Sequence, residues 1–160
     1  MKMLNRISGV LAVVMLGWTI SVHAEVGLPY KSSADPSAEF AVRSEAAKHE
    51  NKLILMVFGG NWCPDCRRLH RAMQEPSIKP TIGENFVVMH VDVGNWDHNL
   101  DFVEKWGNPI EGGIPAVVIA DANQQVVYRT EPGELATARN MGTEELAEAF
   151  KEMARTARGE

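Results

Sequence analysis

The chain has 160 residues, of which 45% are hydrophobic and 23% charged, with a formal net charge of −5. This length and composition predict one globular domain and exclude both a disordered chain and a pair of full-sized domains. Because the chain is acidic and has no Lys/Arg cluster, binding to nucleic acid or to an anionic membrane surface is excluded as well.

The first 24 residues have the layout of a secretory signal peptide. Lys2 and Arg6 give a positive start, residues 7–20 are largely apolar, and Val22-His23-Ala24 places small residues where a signal peptidase reads. The apolar run is short for a membrane span, which needs about 20 residues, so cleavage is favoured over a retained anchor. We therefore expect a signal peptide over 1–24, a mature domain over 25–160, and a periplasmic or secreted protein with no membrane insertion after cleavage. Cleavage leaves 14 basic against 21 acidic side chains, a net charge of −7.

Helices and strands alternate along the rest of the chain. In chain order the expected elements are a helix over 36–48, a strand over 53–58, a helix over 63–73, a strand over 86–91, a helix over 99–106, strands over 116–120 and 125–129, and a last helix capped by Thr143. The uninterrupted apolar runs at 53–58 and 86–91 are typical of strands that are covered on both faces. This order predicts an α/β fold with a central mixed sheet of four to five strands and helices on both faces.

The chain has two cysteines, Cys63 and Cys66, three positions apart. Disulfides persist in exported proteins. A disulfide that closes so small a loop removes little chain entropy, so it would stabilise the fold only weakly. The pair follows a buried strand and opens a helix, where Pro64 suits the first turn. Since a helix N-terminus favours a thiolate, we expect Cys63 to be an exposed attacking thiol and Cys66 a shielded resolving thiol.

The segment Trp62-Cys63-Pro64-Asp65-Cys66, placed after a buried strand, resembles the active-site motif of the thioredoxin superfamily, and Gly113-Ile114-Pro115 resembles the family's cis-proline segment. The resemblance implies a thioredoxin fold, Cys63 as nucleophile, Cys66 as resolving cysteine and a redox-active disulfide between them. It also implies that Trp62, Ile114 and Pro115 contact the substrate. The implied partners are protein thiols and disulfides and an upstream redox partner such as a membrane electron donor. We expect a monomer without a cofactor or metal.

Three features depart from thioredoxin itself. Pro64 and Asp65 stand between the cysteines in place of Gly-Pro, and we expect them to modulate the pair. Val57 stands where thioredoxin carries a buried aspartate, which leaves Asp65 or water as proton acceptor for the resolving thiol. The segment 95–112 is longer than its counterpart, and its two tryptophans either shape a partner surface or, the favoured interpretation, pack against the sheet.

The direction of electron flow is predicted from charge. An anionic Asp65 close to Cys63 disfavours the thiolate and stabilises the disulfide, while Arg67 and Arg68, expected on a solvated helix face, oppose this effect. The sequence therefore favours a reductase over an oxidase.

Metal binding is the rival chemistry at the same motif. Cys63, Cys66 and His70 could converge on zinc or copper(I), although a structural zinc site requires a fourth ligand. A thioredoxin-fold chaperone or a zinc or copper carrier without redox turnover is therefore the second hypothesis. We expect His70 to pack on its helix and His90 to be an ordinary buried histidine.

Overall fold

The computed structural model describes residues 27–160. The signal peptide expected over 1–24 lies outside that range. Within residues 27–160, no helix is long and apolar enough to cross a membrane. The elements in chain order are α1 (Pro36–Glu50), β1 (Leu53–Gly59), α2 (Pro64–Ala72), α3 (Lys79–Asn85), β2 (Phe86–Asp92), α4 (Leu100–Lys105), β3 (Ala116–Ala120), β4 (Val126–Arg129), a 3-10 turn (Ala138–Asn140) and α5 (Thr143–Arg158).

The four strands form one mixed sheet in the order β2-β1-β3-β4. β1 pairs parallel with β2 and antiparallel with β3, and β4 completes an antiparallel hairpin with β3. A parallel pair needs a crossover connection, which α2 and α3 supply here. The N-terminus of α2 therefore lies at the carboxyl end of β1. The expected mixed sheet is confirmed, with four strands.

Helices cover both faces of the sheet because successive side chains of β1 point in opposite directions. Ile54, Met56 and Phe58 belong to a core that includes residues of α1 and α4. Leu55 and Val57 belong to a second core that includes residues of α2, α3 and α5. Each face buries its own apolar core, which explains why β1 is apolar at every position.

Two details differ from the expected elements. The seven-residue helix α3 went unpredicted because it buries only Ile82, so it shows no apolar periodicity. Gly142 is the N-cap of α5, and its N–H donates to the Glu145 carboxylate at 3.3 Å. The prediction that Thr143 caps this helix is wrong, because the Thr143 hydroxyl accepts a hydrogen bond from Arg68 instead.

Candidate functional site

Cys63 is the N-cap residue of α2, and Pro64 is the first residue of that helix. The Cys63 backbone is extended, with φ −74° and ψ 120°, and its sulfur accepts a hydrogen bond from the Cys66 N–H at 3.2 Å. An N-cap side chain satisfies one of the free N–H groups of a helix, and the helix dipole favours negative charge at that position. The local sequence therefore places the Cys63 sulfur at the N-terminus of α2, within hydrogen-bond distance of a helix N–H.

The two cysteines differ in their surroundings more than in their exposure. Both are free thiols, and Cys63 is 3% exposed while Cys66 is fully buried. The expectation that Cys63 is exposed is therefore wrong. The segment containing Ile114 and Pro115 covers it, since the Cys63 sulfur lies 3.7 Å from the Ile114 carbonyl oxygen. Both of these residues are buried, and the peptide bond between them is cis.

Cys66 lies between β1 and the N-terminal arm, which we define as residues 27–35. A Cβ added to Gly59 would lie 2.8 Å from the Cys66 sulfur and 2.5 Å from the Tyr30 hydroxyl, so both groups crowd the same point. Burial raises the pKa of the Cys66 thiol, and the neighbouring Cys63 sulfur raises it further. Cys66 is therefore held as a neutral thiol in the reduced protein.

The buried carboxylate of Asp65 forms an ion pair with Arg139 in the 3-10 turn, whose side chain is 55% exposed. The Asp65 side chain is 4% exposed, and it accepts hydrogen bonds from the Arg139 backbone N–H at 2.8 Å and from Nε at 3.1 Å. Nη2 of the same guanidinium lies 2.8 Å from the second carboxylate oxygen. Because Arg139 balances this charge, Asp65 does not act on Cys63 as the isolated anion assumed in the charge argument.

Arg67 and Arg68 are half-buried, so the prediction that they face solvent is wrong. Arg67 donates to the carbonyl oxygens of Asn61 at 2.8 Å and Trp62 at 3.3 Å. Arg68 donates to the Met141 carbonyl at 3.3 Å. Both guanidinium groups lie partly out of water because they donate hydrogen bonds to backbone carbonyls. These carbonyls belong to the turn before α2 and to the loop before α5.

Trp62 and Trp96 form an exposed aromatic pair beside the cysteines. Their exposed fractions are 49% and 44%, and their ring centroids lie 6.5 Å apart. The Trp62 indole donates to the Gly94 carbonyl at 2.7 Å, which fixes its ring. Trp106 is buried and packs on Phe40 at 5.0 Å between centroids. The packing interpretation is therefore correct for Trp106 and wrong for Trp96, which lies at the surface.

A shallow groove of about 590 Å³ begins at Trp96. It continues past Leu100 and Ile110 to Gly113, the residue before Ile114. Glu104 and Glu111 also line this groove, so its apolar floor has acidic neighbours. The groove and the aromatic pair together extend the surface around the cysteines.

His70 contacts His90 on the neighbouring strand, with 3.3 Å between Nδ1 of His70 and Nε2 of His90. Burial, together with the charges of His70 and Arg43, lowers the pKa of His90 to about 3. Within residues 27–160, no group of three or more His, Cys, Asp or Glu side chains could hold a metal ion. The described chain therefore offers no ligand set on which Cys63, Cys66 and His70 converge.

Known proteins share this architecture. A family model described as thioredoxin-like matches residues 35–122. The disulphide isomerase from Xylella fastidiosa Temecula1 is 38% identical, with a TM-score of 0.76 over 80% of this chain and 98% of that one. The chain belongs to the thioredoxin-like family. As a thioredoxin-like protein with its cysteine pair at the start of α2, it is a thiol–disulfide oxidoreductase.

More distant structures share the fold alone. The C-terminal domain of DsbD from Neisseria meningitidis, in its oxidised form, is 18% identical, with a TM-score of 0.54 over 75% of this chain and 97% of that one. A structure described as DsbH oxidoreductase is 20% identical, with a TM-score of 0.55 over 91% of this chain and 94% of that one. No curated protein sequence matches this thioredoxin-like chain.

Sequence reasoning missed Tyr30 and Arg139. Tyr30 stands in an extended arm and Arg139 in a short turn, so no periodic pattern marks either of them. Both reach the cysteine motif from distant parts of the chain, Tyr30 by its hydroxyl and Arg139 through Asp65. A local signal for such contacts does not exist in a single sequence.

Proposed function

We propose that this thioredoxin-like protein is exported and exchanges disulfides with protein substrates, in the reducing or isomerising direction. The proposal rests on the different positions and surroundings of the two cysteine thiols. Cys63 caps α2 beside the Ile114 carbonyl, and Cys66 lies one turn inside with a raised pKa. Thiol exchange needs this division between an attacking and a resolving sulfur.

Reduction of a substrate would proceed in two exchanges. The Cys63 thiolate attacks one substrate sulfur, forms a mixed disulfide and releases the other substrate sulfur as a thiolate. Cys66 then attacks the Cys63 sulfur, so the Cys63–Cys66 disulfide forms and the second substrate sulfur leaves. The substrate gains two electrons and two protons, and an upstream reductant, such as a membrane electron donor, restores the protein dithiol. In isomerisation the first released thiolate attacks another disulfide of the substrate. The thiolate freed there attacks the substrate sulfur of the mixed disulfide and releases the Cys63 thiolate, so there is no net transfer of electrons.

Trp62, Ile114 and Pro115 are the proposed substrate contacts. The Trp62–Trp96 pair is exposed next to Cys63, and large exposed apolar surfaces of this kind mark interaction sites. Aromatic side chains supply much of the binding energy at such sites. An extended substrate segment with apolar side chains fits this surface.

The reducing or isomerising direction now rests on similarity rather than on the charge of Asp65. The relative with 38% identity is described as a disulphide isomerase, and Arg139 offsets the Asp65 carboxylate. A measured reduction potential of about −270 mV indicates a reductant, and one of about −120 mV indicates an oxidant. An oxidant-like potential contradicts the proposed direction and leaves the exchange chemistry intact.

Insulin reduction by dithiothreitol tests the exchange activity. We expect the wild-type protein to accelerate insulin precipitation and Cys63→Ser to abolish the acceleration. Val42→Ala is the matched control, because Val42 is 70% exposed on α1 and outside the site. Full activity in Cys63→Ser overturns the proposal. Export is tested separately by N-terminal sequencing of the periplasmic protein, which we expect to begin at Glu25.

A further inference from the structure

Tyr30 places a buried hydroxyl beside the thiol that resolves the mixed disulfide. The residue is 3% exposed, and its hydroxyl has no hydrogen-bond partner within the described part of the chain, residues 27–160. Buried hydroxyl groups nearly always have a partner, because an unpaired one has lost its water without compensation. An unpaired hydroxyl next to a redox pair therefore indicates a partner that forms during the reaction.

Gly59 provides the space in which the two groups meet. A Cβ at this position would lie 2.5 Å from the Tyr30 hydroxyl and 2.8 Å from the Cys66 sulfur. Because Gly59 has no side chain, the hydroxyl and the sulfur can both approach this point. A side chain at position 59 would collide with both groups.

Two further residues hold Tyr30 in this position. The Asn61 side chain accepts from the Tyr30 N–H at 3.1 Å and donates to the Tyr30 carbonyl at 2.6 Å. The Tyr30 ring meets the edge of His90 at 5.2 Å between centroids. Asn61 belongs to the turn that leads into Cys63, so the arm and the active-site turn are fixed to each other.

We propose that the Tyr30 hydroxyl donates a hydrogen bond to the Cys66 thiolate and so stabilises the attacking form of the resolving cysteine. This inference rests on the proposed function, in which Cys66 attacks the mixed disulfide. Val57 is buried in an apolar core and offers no polar atom to Cys66. Tyr30 therefore supplies, from the arm, a polar group that β1 lacks.

The hydroxyl acts as a donor and not as a base. Burial raises the pKa of Tyr30 well above its usual value, and the neighbouring Cys66, Cys63 and Asp92 raise it further. The phenol therefore stays protonated while Cys66 ionises. Once formed, the proposed hydrogen bond from Tyr30 stabilises the thiolate and so lowers the pKa of Cys66, which opposes the effect of burial.

The resolving step balances without any further reactant. Cys66 loses its proton and attacks the Cys63 sulfur, and a bond forms between the two cysteine sulfurs. The bond between Cys63 and the substrate sulfur breaks, and its electron pair leaves with the substrate sulfur, which takes up the proton. The two cysteines are oxidised and the substrate disulfide is reduced, while Tyr30 keeps its own proton.

Stopped-flow reaction of the reduced protein with 5,5′-dithiobis(2-nitrobenzoate) separates the two steps. Cys63 attack releases a first thionitrobenzoate, and Cys66 attack on the resulting mixed disulfide releases a second. We expect Tyr30→Phe to slow the second phase about tenfold, the effect of losing a hydrogen bond to a charged group, and to leave the first phase unchanged. Tyr128→Phe removes the hydroxyl of the other tyrosine, which packs on the opposite core, and keeps both rates.

Each result of this experiment has a distinct meaning. A second phase at the wild-type rate overturns the role of Tyr30, and so does an equal slowing of both phases, which indicates a loosened site. Failure of the wild-type protein to release thionitrobenzoate in two phases overturns the proposed function instead.

A second variant keeps the test valid if Tyr30→Phe does not fold. Incorporation of 3-fluorotyrosine into Tyr128→Phe places the more acidic phenol at position 30 and preserves its ring and hydroxyl. A stronger donor speeds the second phase. An unchanged second phase overturns the proposal.

Discussion

The two sides of the cysteine pair are built differently. We define the outer side as Trp62, Trp96 and the Ile114–Pro115 segment. Its two tryptophans are about half exposed, and none of its side chains is ionisable. On the inner side, defined as Tyr30, Gly59, Asp65 and His90, polar groups lie enclosed between α2 and the rest of the fold.

This difference separates two tasks. An exposed aromatic surface gains free energy only when a substrate covers it, so changes to Trp62 and Trp96 should alter substrate affinity and leave stability intact. Enclosed polar groups must be paired or neutral in the folded protein, so inner-side changes should alter stability or protonation.

The ion pair of Asp65 should make the largest contribution to stability. Asp65→Ala removes three contacts that a buried carboxylate makes to Arg139, so we expect a loss of about 2–3 kcal/mol in the free energy of unfolding, the cost of losing hydrogen bonds to a charged group. Urea denaturation measures the loss. Glu148→Ala, which removes an exposed partner of Lys151, is the control and should leave the free energy of unfolding nearly unchanged. Equal costs in the two variants would show that the buried pair is not structural.

Gly59 should tolerate no side chain. Gly59→Ala forces a carbon between the Tyr30 hydroxyl and the Cys66 sulfur, and overpacking of this kind costs about 2 kcal/mol. Gly83→Ala is the matched control, because a Cβ there meets nothing within 4 Å and the position lies inside α3. That variant should gain about 0.5–1 kcal/mol. Chemical denaturation of both variants decides the point, and a stable Gly59→Ala contradicts the close approach.

Stability should fall as the pH is lowered, through His90. Its folded pKa of about 3 lies below the value of about 6.5 in an unfolded chain, so below about pH 6.5 the unfolded state binds a proton that the folded state lacks. The loss is at most about 1.4 kcal/mol for each pH unit and ends near pH 3. His90→Gln should flatten this dependence in denaturation curves recorded across the range, whereas His49→Gln, on the exposed end of α1, should keep it.

Trp96 should matter for substrate affinity alone. Trp96→Ala removes an exposed aromatic side chain of the outer side, and we expect a loss of about 1 kcal/mol, or roughly fivefold in the KM for a protein substrate. The rate with 5,5′-dithiobis(2-nitrobenzoate) and the free energy of unfolding should not change. A destabilised Trp96→Ala breaks the separation between the two sides, and an unchanged KM removes Trp96 from the binding surface.

The sequence was sufficient wherever the signal is local. The apolar run of β1, the turn after it and Pro64 at the first helical position predict a strand followed by a helix, and these elements place Cys63 at the N-cap of α2. The alternation of helices and strands likewise predicts the mixed sheet. Short-range preferences and periodicity carry this information.

The inner side could not be predicted because it is assembled from distant segments. Tyr30 comes from the arm and Arg139 from the turn before α5, and each meets the cysteine motif only after folding. The charge argument failed for the same reason, since it counted Asp65 without its partner. Trp96 is exposed in a loop in which its backbone φ is 68°, and no apolar pattern in the sequence marks this conformation.

Trapping of mixed disulfides tests whether Cys63 is the attacking thiol and Cys66 the resolving thiol. Cys66→Ser and Cys63→Ser are each produced in the compartment where the protein resides, free thiols are blocked, and the proteins are separated without reductant. We expect disulfide-linked complexes with substrate proteins in Cys66→Ser, which dithiothreitol dissociates, and none in Cys63→Ser. Complexes formed through Cys66 in Cys63→Ser, at the same level, contradict it.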